Sequence, residues 1–174
     1  FLFLLVCLIA TIGLSAQDKK VAFKSATASS YQSGEEVSKA IDGKPGTIWH
    51  SSWYSTSFPV TLTVTLSEES HIDYLRYTPP QDGNVNGNWE NVTVEYTATT
   101  SDNNFTFIGD YNLGGSGAAY DFYLPEGGAT CGKIRFTVKS GTNGFASASE
   151  VEAFAFDNSK RDALAPYFSD DLFT

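Results

Sequence analysis

Between residues 59 and 66 the chain reads P-V-T-L-T-V-T-L, with Val or Leu at every second position and Thr between them. Successive side chains of an extended chain point to opposite faces, so this alternation fits a strand with one face buried and one face wet. Weaker versions of the pattern recur at 21–30, 72–77, 91–99, 105–111, 119–124, 133–139 and 147–156. Polar or Gly-, Pro- and Asn-rich breaks separate them at 68–70, 79–88, 101–104 and 114–117. No long helical period and no internal repeat interrupts the series. About eight short strands with turn signals between them predict an all-β domain, a sandwich of antiparallel strands. The 13 Phe, 9 Tyr and 3 Trp agree with that class. Residues 37–41 are expected to form one helical turn, stopped by Asp42-Gly43.

The first sixteen residues, F-L-F-L-L-V-C-L-I-A-T-I-G-L-S-A, are apolar and uncharged, and polar residues follow from Gln17. The run is short for a membrane span and ends in small residues. It predicts a secretory leader over 1–16 whose charged start is missing. The domain proper is then expected over 17–156, with 157–174 as a linker or the start of a further domain. After Ala16 one cysteine is left, Cys131, so no intramolecular disulfide can form and the domain must rest on its core or on a metal. Cys131 is expected to be structural. A net charge of −9 opposes nucleic acid and anionic membranes as partners, because both require basic patches. No nucleophile–base pair, phosphate-binding loop or zinc pattern is present, so the segment is read as non-catalytic.

Residues 37–54 concentrate the polar chemistry. An Asp42-Gly43 turn and a Pro45-Gly46 corner precede Thr47, and Trp49, His50, Trp53 and Tyr54 follow. Tight turns direct carbonyl oxygens outward in fixed geometry, and with a carboxylate and a hydroxyl they suit a hard cation. The rings and the histidine behind them suit a small polar ligand.

Four stretches carry a resemblance: A-I-D-G-K-P-G-T-I-W-H (40–50), Y-L-R-Y-T-P-P-Q-D-G (74–83), K-I-R-F-T-V-K-S-G (133–141) and A-S-E-V-E-A-F (148–154). In this order they resemble coagulation factor V/VIII type C (discoidin) domains, and most closely the bacterial family 32 carbohydrate-binding modules. The resemblance spans roughly residues 22–156. It implies a galactose-binding-like jelly-roll β-sandwich. It also implies a structural calcium (Ca2+) held by the carbonyls of Lys39, Lys44 and Ser149 and by the side chains of Asp42, Thr47 and Glu150. His50 matches the family's sugar-binding histidine and Trp53 its stacking ring, with Tyr54 beside it. Glu36, or Glu35, stands where an acidic residue is found. The family's arginine is replaced by Pro80, so uncharged donors, Gln81, Asn84, Asn86 or Asn88, are expected in its place. Trp89 is expected in the core.

The resemblance therefore implies an exported bacterial module, monomeric within a larger protein, that binds glycans ending in galactose or N-acetylhexosamine. Such modules are joined to glycoside hydrolases, sialidases or mucin-directed metallopeptidases. The alternative readings are a cell-surface adhesion domain for lipid or protein, and a structural spacer.

Overall fold

A computed structural model describes residues 18–54, 56–125 and 127–157. The expected leader lies outside the described residues, as does the expected tail after Asp157. One unit spans Lys19–Phe156. Its strands are β1 (Lys19–Val21), β2 (Phe23–Ala28), β3 (Trp49–His50), β4 (Val60–Ile72), β5 (Tyr74–Thr78), β6 (Trp89–Thr97), β7 (Thr106–Asn112), β8 (Tyr120–Tyr123), β9 (Ala129–Gly141), β10 (Ser147–Ala148) and β11 (Glu150–Ala155).

These strands form the expected antiparallel sandwich. One sheet has the order β2-β4-β9-β6-β7 and the other β1-β11-β5-β8, and β3 and β10 make a two-stranded ribbon. Along β4 every second residue from Val60 to Leu66 is buried, as the Val/Thr alternation requires. Leu62, Val64 and Leu66 of β4, Ile134, Phe136 and Val138 of β9, and Val92 and Val94 of β6 pack against Leu75, Tyr77, Phe122, Val151 and Ala153 of the other sheet. Trp89 is buried in this core as expected. Its ring stacks on Tyr77 at 4.0 Å. Cys131 is buried as well, and burial pushes its thiol up to about 12.

Three stretches differ from the expectation. Residues 68–70 do not turn the chain: β4 runs through them to Ile72, with a register irregularity against β9 between Thr65 and Ser70. Bulges let a strand carry unpaired polar residues while it bends. The break comes instead at Asp73, whose N–H donates to Phe154 O and whose carbonyl accepts from Leu124 N. There the chain crosses from the five-stranded to the four-stranded sheet. The expected single strands over 21–30 and 147–156 are likewise each divided in two, and with the two-residue β3, which was not expected, the strands number eleven among the described residues. The division lets β1 and β2 serve the two large sheets, and β10 and β11 the ribbon and the four-stranded sheet. The helical turn is present at Val37–Ile41.

Candidate ligand and cation site

His50 sits on the short ribbon, where Ser147 is its register partner. Its main chain is also held from the other side: His50 O accepts from Gln32 N at 2.8 Å, and His50 N donates to Glu35 O at 3.3 Å. The residue is only 4 % exposed. Its Nδ1 lies 2.7 Å from Ser51 O. A carbonyl only accepts, so Nδ1 carries the proton and Nε2 is left with a lone pair that accepts a hydroxyl donor.

Two rings flank this imidazole. Phe145 is tilted against it at 5.1 Å, and Trp53 stands edge-on at 6.4 Å. Trp53 N donates to Gln32 Oε1 at 3.1 Å, which fixes the backbone beneath an indole that is 50 % exposed. Tyr54 is 90 % exposed. Trp53 is therefore a surface ring and not a core anchor.

A second loop borders the ribbon. Gly87 N donates to Thr142 O, and Ser147 N donates to Gly87 O at 2.8 Å. Asn143 Nδ2 donates to Asn86 Oδ1 at 2.6 Å, and Ser147 Oγ donates to Asn86 O at 2.8 Å. A side chain at Gly87 would collide with Ser147, whose Oγ lies 2.6 Å from the position of a Cβ, and the backbone there has φ +84°. Only glycine allows the two loops this close.

The remaining expected ligand contacts divide. Glu36 Oε1 accepts from Gly34 N at 2.7 Å, and that bond holds its carboxyl below the usual range. Gln81 Nε2 donates to Pro79 O at 2.7 Å. Gln81 also lines a shallow cavity of about 560 Å³ with Glu35, Lys39, Thr47 and Ile48. Asn88 is buried and directs its Nδ2 to the carbonyls of Gly115 and Ser116, so it is not available as the donor that sequence suggested. Asn86 retains its Nδ2 beside the ribbon.

The turn after residue 41 is rich in oxygen. Asp42 Oδ1 accepts from Lys44 N at 2.9 Å. Thr47 Oγ1 lies 3.0 and 2.9 Å from the two Asp42 oxygens and 2.9 Å from Lys44 O. One hydroxyl proton cannot serve three acceptors, so lone pairs are in excess. Glu150 adds another: the residue is buried, and its Oε1 has no hydrogen-bond partner. Burial, and then the nearby charge of Asp42, push the Glu150 carboxyl up to about 7 against the pull of the Lys44 backbone. Among the described residues no three His, Cys, Asp or Glu side chains converge. Two carboxylates, a hydroxyl and turn carbonyls nevertheless suit a hard, oxygen-seeking cation such as calcium. Lys39 precedes this turn and uses its Nζ on Gly34 O. Ser149 precedes Glu150 and donates its N–H to Thr78 O.

The F5/8 type C domain profile matches residues 25–151. The chain belongs to the F5/8 type C domain family. Among solved structures, this F5/8 type C domain is similar to the family 32 carbohydrate-binding module of Clostridium perfringens NanJ, a complex with galactose. The TM-score is 0.72 at 23% identity, over 80% of this chain and 100% of that one. It is also similar to CpGH89CBM32-5 of Clostridium perfringens, a complex with GalNAc-β-1,3-galactose. There the TM-score is 0.68 at 29% identity, over 75% of this chain and 94% of that one. A galactose oxidase of Gibberella zeae is 39% identical over 64 residues, which is 35% of this chain. The chain spans only 9% of that relative's length.

Two residues of the F5/8 type C domain's His50 cluster escaped the sequence reading. Phe145 and Asn143 lie in T-N-G-F (142–145), the gap between two stretches that did carry the resemblance. An Asn-Gly pair followed by a ring, directly after a long strand, was the available signal.

Proposed function

We propose that this domain is a non-catalytic carbohydrate-binding module of an exported bacterial protein. It takes terminal galactose or N-acetylhexosamine sugars of host or mucin glycans and targets an attached catalytic domain to them. The observation that carries this reading is the His50–Trp53–Phe145 cluster: a half-exposed indole standing edge-on to a buried imidazole with one acceptor nitrogen left. Trp53 would stack on the apolar face of a sugar, and a hydroxyl would donate to His50 Nε2. Phe145 packs a second ring against the imidazole. With Pro80 in the arginine's place, orientation of the sugar falls to uncharged amides, chiefly Asn86 and Asn143. A site this open binds a single sugar weakly, and attachment to a polymer compensates by raising effective concentration.

Asp42, Thr47 and Glu150, with the carbonyls of Lys39, Lys44 and Ser149, would hold a calcium ion. Its charge would neutralise the two carboxylates and clip the turn to the start of β11.

The test is a glycan array of the chain from Gln17, in calcium and in chelator, beside Trp53→Ala. Binding to galactose- or N-acetylhexosamine-ended glycans that the substitution removes supports the reading. A folded protein that binds no glycan overturns it. The exposed Tyr54 favours one second reading, adhesion to lipid, which binding to phosphatidylserine vesicles but not to neutral ones would establish.

A further inference from the structure

The outward face of the four-stranded sheet carries two rows of side chains. Register aligns Lys20, Phe154, Tyr74 and Tyr123 across β1, β11, β5 and β8, and beside them Glu152, Arg76 and Asp121 across β11, β5 and β8. The first row is aromatic. Tyr74 stacks on Phe154 at 4.8 Å and meets Tyr123 at 5.5 Å and Phe156 at 5.7 Å. Tyr123 and Phe156 are the outermost rings, 58 % and 44 % exposed. The second row is ionic. Arg76 Nε and Nη2 donate to Asp121 at 2.7 and 2.8 Å, and its guanidinium carbon lies 5.8 and 5.6 Å from the centroids of Tyr74 and Phe154. Lys20 Nζ lies 2.7 Å from Glu152.

From β1 to β8 the charges therefore run positive, negative, positive, negative: Lys20, Glu152, Arg76, Asp121. Reversed, that order is its own complement. A half-turn about an axis parallel to the strands, between β11 and β5, lays Glu152 over the second copy's Arg76. It brings Asp121 towards the second copy's Lys20. In the aromatic row Tyr74 is already buried by its neighbours, and the same operation sets Lys20 over the exposed ring of the second copy's Tyr123, a cation on a ring face. Two-fold contacts require such self-complementarity. Rings and arginine are the side chains enriched at the centres of protein interfaces. Sheets pack face to face at a small angle, which keeps both rows in register near the axis.

We propose that this face binds a second copy of the same chain, in place of the monomer expected from the sequence. None of its residues belongs to the His50 cluster, and the proposal does not depend on the sugar reading.

Sedimentation velocity of the chain from Gln17, from micromolar to millimolar concentration, tests it. A monomer–dimer equilibrium weakened by salt is expected. Tyr123→Lys sets a lysine against the second copy's Lys20 and is expected to weaken the dimer by roughly tenfold or more. Tyr123→Glu loses the same ring but sets a carboxylate against the second copy's Lys20, and is expected to retain association. Circular dichroism of each variant checks that the fold is unchanged. A monomer at every concentration overturns the proposal. So does a dimer indifferent to Tyr123→Lys, or one that Tyr123→Glu weakens as much as Tyr123→Lys.

Discussion

Asp42 and Glu150 come from opposite ends of the domain's sequence, yet the charge of Asp42 is felt by a Glu150 carboxyl whose buried Oε1 has no hydrogen-bond partner. Two carboxylates so placed repel each other unless a proton or a cation stands between them. This pair is the part of the structure that most needs something added to it.

If a cation fills the site, calcium will raise the melting temperature of the wild-type domain. At a hundredfold excess over its dissociation constant a ligand stabilises by about 2.7 kcal/mol. Asp42→Asn and Glu150→Gln are expected to lose most of that rise. Differential scanning fluorimetry in calcium and in chelator reads the difference. An equal rise in wild type and both variants would remove the site.

In chelator, pH provides a separate check. The Glu150 carboxyl is raised in the folded state from 4.5 to about 7, so folding favours its neutral form. Below about pH 4.5 the group is protonated in both states and costs nothing. Between about pH 4.5 and 7 the unfolded chain ionises while the folded state keeps its proton, so stability falls, by roughly 3 kcal/mol in all, and the loss is complete once the pH has passed 7. Urea unfolding at pH 5 and pH 8 is expected to show lower stability at the higher pH. Glu150→Gln should flatten the dependence, and calcium should reverse it.

Trp53→Ala is expected to abolish glycan binding while changing stability by no more than about 0.5 kcal/mol, because half of its surface is already in water. Calorimetric titration and urea unfolding of the same sample separate the two effects. A loss of stability comparable to a core truncation would make Trp53 a packing residue.

Tyr77→Phe probes how the site is held from behind. The Tyr77 hydroxyl donates to Ser147 O at 3.1 Å and accepts from Trp89 N at 3.2 Å, so it joins the ribbon that carries His50 to the core. Removing it strands two buried backbone groups, at a cost of about 1–3 kcal/mol. Denaturant unfolding measures that cost, and a weaker sugar affinity would report displacement of the ribbon.

The sandwich was legible because its strands are half-buried, and a period of two is written directly into residues 59–66. The corners were not. Ala22, Asp73 and Ser149 divide strands through hydrogen bonds made to distant segments, and nothing in their neighbours' polarity marks them. The Asp42-Gly43 turn could be read locally, since its contacts to Lys44 and Thr47 lie within five residues. Burial of Glu150 beside that turn depends on β11 reaching it from the far end of the chain. Phe145 is not legible locally for the same reason: only the pairing of Ser147 with His50 brings its ring to the imidazole. Asn88 looked like its neighbours in an Asn-rich loop, and only the close approach of residues 115–116 consumes its amide.

Lys19 and Ala155 are register partners where β1 meets β11, so the chain enters and leaves the sandwich side by side. Glu150, next to the Asp42 turn, opens β11 at its other end. Traction applied between Lys19 and Ala155 therefore loads the β1–β11 hydrogen bonds one at a time, like a zipper, and does not shear them together. The seam would part there at low force while the loops around His50 still hold their shape, so the domain's mechanical weak point lies away from its candidate site.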